Sequence, residues 1–151
     1  MSEHWICAIP RDPRHVPVAT EDLERLMHSL MPRADQIEMR SDPGVQFRDC
    51  GENFESVRCP ECGAEIATAA WQKLMEVDFI DPERGFRVLD YPMPCCGRTR
   101  SINDLVYAWP QGLSRFIISA MNPDRGHLSS DEIRQLEQAM GCPVTIIYQH
   151  I

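Results

Sequence analysis

Two strand–helix–strand patterns flank a segment bounded by cysteine pairs, and together they predict an α+β protein. The economical architecture is a ferredoxin-like split βαβ sandwich. The first pattern runs from Trp5 to Phe47 and the second from Phe116 to Tyr148. Between them, residues 56–101 carry Cys59-Pro60-Glu61-Cys62-Gly63 and Pro94-Cys95-Cys96-Gly97 and take the place of the central hairpin connection. The expectation is therefore one α+β domain over residues 1–151, with an inserted lobe at 56–101. An irregular α+β domain nucleated by the cysteines is the competing architecture. The chain has 151 residues, and a chain near this size buries roughly 70% of its unfolded surface, enough for a real core.

Each element has its own local reason. Trp5-Ile6-Cys7-Ala8-Ile9 is an apolar run stopped by Pro10 and reads as a buried first strand. Pro13 and Pro17 make the next stretch a loop. Thr20 is the expected cap of a helix whose first turn carries Glu21, Asp22 and Glu24, favourable at the positive end of the helix dipole. Leu23, Leu26, Met27, Leu30 and Met31 form its apolar face, and Pro32 ends it. Ile37 and Met39, then Val45 and Phe47, alternate with polar residues around Asp42-Pro43-Gly44, which predicts a hairpin or one bent strand.

In the cysteine segment, Trp71, Leu74 and Met75 share a helical face, continued by Phe79, and predict a helix over 67–77. Phe86–Leu89 reads as a strand. Ser101 and Asp104 have the spacing of a cap for a short helix reaching Ala108. Further on, Phe116-Ile117-Ile118 is a strand core, and Asn122–Gly126 is a loop. Ser129 and Glu132 form a capping box before a helix with Ile133, Leu136 and Met140 on its buried face. Gly141 suits the residue after that helix, and Val144–Tyr148 is the last strand.

The net charge of −8 argues against sequence-independent binding of nucleic acid, which requires a basic face. Arg84, Arg87, Arg98 and Arg100 lie in the cysteine segment and form a local basic patch only if the fold brings them together. No apolar run approaches the ~20 residues of a membrane span. The first ten residues lack the pattern of a signal peptide, so a cytosolic protein is expected. In that reducing setting the odd count of seven cysteines points to metal or redox chemistry rather than disulfides.

Zinc binds thiolates tetrahedrally, and a Cys-x-x-Cys turn followed by glycine brings two sulfurs to one ion. Cys59, Cys62, Cys95 and Cys96 are accordingly expected to hold a structural Zn2+ with no open position for substrate. The adjacency of Cys95 and Cys96 requires the chain to turn between them, because neighbours on an extended strand point to opposite faces. Cys50 or a histidine is the alternative fourth ligand. Cys7 and Cys142 read as reduced packing residues. A redox dithiol fits poorly, since Pro60 and Gly63 favour a turn over a strand–helix junction.

Catalytic patterns are weaker. Cys59-Pro60-Glu61 and Pro94-Cys95 imitate parts of the zinc-deaminase signature, but Arg98 stands where its last cysteine belongs. Asp49, Glu52 and Glu55 form either a general acid–base or metal set or, as charged runs more often do, a solvated connection. Phosphate-loop and nucleophile-elbow motifs are both missing from the sequence. Tyr107 and Trp109 read as core aromatics or an exposed contact patch.

Asp49–Glu55, Cys59–Gly63, Pro94–Gly97 and Asn103–Pro110 together resemble a family of short, uncharacterised bacterial zinc-ribbon-like proteins with CPxCG, PCCG and NDLxYxWP motifs. The resemblance spans nearly the whole chain. It implies a bacterial cytosolic protein with four cysteine ligands and carries no activity. The expected role is a non-enzymatic module that binds another protein, not nucleic acid or membrane. The alternative is a metal-dependent hydrolase or deaminase-like enzyme using the acidic residues near the lobe.

Overall fold

The computed structural model describes residues 2–151. In chain order the elements are β1 (His4–Pro10), α1 (Thr20–Leu30), β2 (Gln36–Arg48), β3 (Val57–Arg58), β4 (Glu65–Ile66) and α2 (Thr68–Asp78). They continue with β5 (Phe79–Asp81), β6 (Gly85–Phe86), β7 (Asp90–Pro92), β8 (Thr99–Ser101) and β9 (Val106–Tyr107). The chain closes with β10 (Gly112–Met121), α3 (Ser130–Met140) and β11 (Val144–His150). The class is α+β.

The main sheet has the order β11-β1-β10-β2-β6-β5. Its four long strands pair antiparallel with one another. Two short strands from the cysteine segment extend it, with β6 running parallel to β2. Gly85 makes that close approach possible. Its φ is +71°, and a Cβ there would stand 1.9 Å from the Val45 carbonyl oxygen.

The helical periodicity of α1 and α3 is spent on one core. Leu23 and Met27 from α1 and Leu136 and Met140 from α3 pack on Ile6, Phe116 and Ile118 of the sheet. Leu23, Leu136 and Ile118 are fully buried, and each such side chain contributes about 1.5–3 kcal/mol relative to exposure. The Ser129–Glu132 capping box forms as its spacing predicts, and Gly141 ends α3 at φ +88°.

A second apolar cluster lies under the cysteine segment. Trp71 is at its centre, stacked on Phe54 at 5.1 Å and edge-on to Phe47 and Tyr107. The Trp71 indole N–H donates to the Tyr107 hydroxyl (3.2 Å), which donates to the Ile102 carbonyl (2.7 Å). Tyr107 is thus a core aromatic.

Several local expectations change. Thr20 is the first helical residue rather than the cap. Ala19 occupies the cap position, and its carbonyl already accepts from Leu23 N–H. Asp42-Pro43-Gly44 does not close a hairpin. β2 passes through it as one strand, with a register shift opposite Ser114 and Phe116. Pro43 has no N–H to contribute, so it fits an irregular position of this kind. The Asp42 carboxylate and carbonyl hold Arg48 and Arg115 across the bend.

The helix predicted to reach Ala108 stops after a 3-10 turn at Ile102–Asp104. Val106 and Tyr107 pair with β3 instead, which places Tyr107 beside Trp71. The strand over Phe86–Leu89 is broken at Val88, whose φ is +59°. The cause is Asp78, fully buried at the end of α2. Its carboxylate accepts from Val88 N–H (2.8 Å), Leu89 N–H (3.0 Å) and the Tyr91 hydroxyl (2.7 Å). Phe79 leaves the helical face and opens β5.

Candidate metal centre

The four sulfurs of Cys59, Cys62, Cys95 and Cys96 all lie within 4.8 Å of one another. Cys59 is buried, whereas the other three are exposed, so the cluster sits at the surface with one side anchored on the second core. The Cys59–Cys96 and Cys62–Cys95 sulfur separations are 3.8 and 3.3 Å. A tetrahedron of thiolates around a zinc-sized ion, at about 2.3 Å per bond, has edges of about 3.8 Å. A disulfide requires about 2.05 Å, and all seven cysteines are free thiols. The donor set fits a metal ion.

Two turns of the same construction present these thiols. In the first, Cys59 N–H donates to Ala64 O (2.9 Å) and Gly63 N–H to Cys59 O (3.0 Å). In the second, Met93 N–H donates to Arg98 O (2.8 Å) and Gly97 N–H to Met93 O (2.9 Å). Gly63 and Gly97 both have φ +76°, a conformation that disfavours side chains. The hydrogen bonds therefore align Cys59-Pro60-Glu61-Cys62-Gly63 with Met93-Pro94-Cys95-Cys96-Gly97. Cys96 stands where Cys62 does, buried Met93 replaces Cys59, and Cys95 takes the place of Glu61. The turn runs through Pro94–Cys96, so two adjacent cysteines reach one point. The shared x-Pro-x-Cys-Gly pattern is visible in the sequence once the two segments are aligned on their glycines.

Charged side chains surround the cluster. Glu61 of the first turn accepts from Arg98 (3.4 Å) and Arg100 (3.0 Å) of the second, so a carboxylate ties the two halves together. Arg58 donates to the Gly63 carbonyl (3.2 Å). Four thiolates around a dication carry a net charge of −2, which neighbouring guanidiniums offset. Glu61, Arg98 and Arg100 were not legible as a unit, because their pairing depends on how the turns face each other.

Backbone N–H groups favour the Cys59 thiolate. That of Cys62 is the larger contributor, ahead of Glu61 N–H, and the pKa falls to about 7. The Cys95 thiol is pushed up to about 12, mainly through its hydrogen bond with Cys62. Within the cluster the backbone thus favours the thiolate form at Cys59 and the neighbouring sulfur disfavours it at Cys95. Metal binding to thiols releases their protons.

The other candidate residues lie elsewhere. Cys50 is buried with Cys7, Ile9 and Ile147, and its N–H and S–H both donate to the Gln111 side-chain oxygen Oε1. Burial raises the thiol pKa of Cys50, and it pushes that of Cys7 up to about 11. Cys142 is half-buried beside Pro143. No histidine joins the four-thiol group among the described residues.

Asp49, Glu52 and Glu55 do not converge on it either. Asp49 accepts from Gly51 N–H and Gln149, Glu52 faces His150 at 3.8 Å, and Glu55 accepts from the Trp109 indole. The connection is stapled to β11 instead. Arg84 and Arg87 are likewise separated in role from Arg98 and Arg100, since Arg84 pairs with Asp81 and Arg87 donates to the Val77 carbonyl.

A groove of about 730 Å³ opens between the β1 and β11 ends and the loop after β10, walled by Trp5, Trp109, His127 and Tyr148. His127 stacks on Tyr148 at 3.9 Å. No helix among the described residues is long and apolar enough to cross a membrane. No family model, no curated protein and no solved structure matches the chain.

Proposed function

We propose that the chain is a zinc-binding protein in which Cys59, Cys62, Cys95 and Cys96 hold a structural Zn2+, and that it acts as a non-enzymatic binding module. The observation that carries this reading is the sulfur quartet on two matched turns. Thiolate-only sites of this shape favour zinc and leave no position open for a substrate. The zinc-ribbon-like reading of residues 56–101 is supported by the same matched turns. The ferredoxin-like reading of the core is supported by its strand order, since the four long strands stand fourth, first, third, second.

The partner in this reading is another protein, met by the aromatic groove of Trp5, Trp109 and Tyr148. Trp and Tyr are enriched at protein interfaces, where they fill pockets on the partner. The resemblance to short bacterial zinc-ribbon-like proteins, and a cytoplasmic setting that keeps seven thiols reduced, belong to the same proposal.

Metal analysis of the purified full-length protein tests it. One zinc per chain is expected, reduced to a small fraction in Cys59→Ser, Cys62→Ser and Cys96→Ser. A folded, metal-free wild-type protein overturns the zinc reading. Full retention in Cys95→Ser removes Cys95 from the ligand set and leaves a position for water. Cobalt substitution reads the geometry independently, because a tetrahedral four-thiolate site differs in spectrum from one with a water ligand.

A further inference from the structure

We propose that a second groove, of about 550 Å³ and distinct from the metal centre, binds a small phosphoryl anion of diphosphate type. Its walls carry four arginines, Arg14, Arg84, Arg87 and Arg115, together with the apolar Phe86 and Leu89. They come from the loop after β1, the β5–β6 turn, the segment between β6 and β7, and β10. In a chain of net charge −8 this is a local reversal of sign.

The pairing of these arginines is incomplete. Arg84 is neutralised by Asp81 at 2.8 Å. The other three give hydrogen bonds to backbone carbonyls instead. Arg14 donates to Arg87 O (3.0 Å), Arg87 to Val77 O (3.1 Å) and Arg115 to Asp42 O (2.9 Å). None of the three has a carboxylate within ion-pair distance among the described residues. The Asp42 carboxylate, the nearest in sequence to the groove's β2 wall, is occupied by Arg40 and Arg48. A carbonyl bond uses one of the five N–H groups of a guanidinium and cancels none of its charge. Three uncompensated positive charges therefore border one concave surface.

The groove is also held in place at a backbone cost. Val88, a β-branched residue, adopts φ +59°, a conformation rarely accepted without compensation. The fully buried Asp78 compensates by taking the N–H groups of Val88 and Leu89. The strained turn fixes Arg87 and Leu89, and the Arg87 carbonyl in turn orients Arg14. Strain maintained by a buried carboxylate at the rim of a charged groove is the arrangement expected of a preorganised binding site.

The chemistry of the ligand is set by these groups. Guanidiniums form paired hydrogen bonds to planar or tetrahedral oxyanions. Three charges confined to this volume call for an anion that concentrates about the same charge in few atoms, as a diphosphate group does. Half-exposed Leu89 offers an apolar surface to the organic part of such a molecule. The strongly acidic remainder of the chain disfavours a long polyanion.

Titration of the full-length protein with inorganic pyrophosphate tests the proposal, followed by calorimetry and by the arginine side-chain N–H signals in NMR. A saturable single site is expected, with the Arg14, Arg87 and Arg115 signals shifting first. Binding should weaken about tenfold in Arg87→Gln and in Arg115→Gln, and remain unchanged in Arg25→Gln, whose guanidinium pairs with Asp22 on α1. Arg115 is half-buried, so exposed Arg14→Gln carries the same expectation should Arg115→Gln unfold. Absence of saturation, equal weakening in Arg25→Gln, or citrate binding as tightly as pyrophosphate would each overturn the proposal. The metal content of these variants should equal that of the wild type, which separates this result from any failure of the zinc reading.

Discussion

Glu132 carries two jobs at once. Its side chain closes the capping box of α3 and receives two 2.7 Å bonds from Arg125. The Arg125 guanidinium, helped by Ser129 N–H, lowers its pKa from 4.5 to about 2. A carboxylate whose folded pKa is depressed contributes stability above its unfolded pKa and loses it as pH falls toward the folded value. The contribution should therefore be complete above about pH 4.5 and disappear between there and about pH 2. Glu132→Gln should cost about 1–3 kcal/mol at neutral pH. It should also flatten that part of the stability–pH curve, measured by denaturant unfolding. An unchanged acid limb would count against the pair. This residue was legible because a capping box is local, four residues long. Asp78 was not. Its partners lie ten to thirteen positions downstream, and nothing in an aspartate at the end of a helical pattern announces that it will be buried.

Among the elements, the long periodic ones followed their pattern and the short ones did not. The faces of α1 and α3, with their apolar repeats, specify which residues meet the sheet. Strands of two residues, such as β3, β6 and β9, have no period to read, and their existence depends on a neighbour offering free hydrogen bonds. The peptide from Val106 to Tyr107 is a case in point. Its capping signal at Ser101 is real and is used, yet β3 claims the chain after one 3-10 turn. The two cysteine turns are intermediate. Their composition is plain, and their equivalence emerges only from hydrogen bonds that align Met93 with Cys59. Gly63 and Gly97 both sit at φ +76° with no atom within 4 Å of an added Cβ. Their replacement by alanine should thus cost conformational energy alone, about 1 kcal/mol each. If the turns must hold that shape to bind, zinc affinity should drop about fivefold in each variant, as measured by competition with a chelating dye. Wild-type affinity in both would mean that the turns are not preorganised.

At the scale of the whole molecule, the apolar residues divide into a cluster between the main sheet and α1 and α3, another around Trp71 beneath the cysteine turns, and a small one of Cys7, Ile9, Cys50 and Ile147. Only the second includes a residue of the candidate metal centre, Cys59. Zinc-dependent folding energy belongs to the part of a chain that the ion organises. Chelation should therefore raise hydrogen exchange across residues 57–107 while the amides of β1, β10 and β11 keep their protection. Uniform loss of protection would show a single cooperative unit. The order of long elements, and hence the α+β class, was legible from alternation and helical spacing. The extension of the sheet by β5 and β6 was not, because it depends on the close contact of Gly85 with β2.

The chain leaves the four long strands after Arg48 and rejoins them at Gly112, and those two residues face each other across β2 and β10. The long excursion between them begins and ends at one rung of a ladder. In topological terms it is a bubble on an otherwise closed hairpin, tied back to one rail where β6 pairs with β2 and to the other where the Asn103 side chain accepts from Leu113 N–H. Reshaping of the cysteine-bearing segment is therefore free only between those ties.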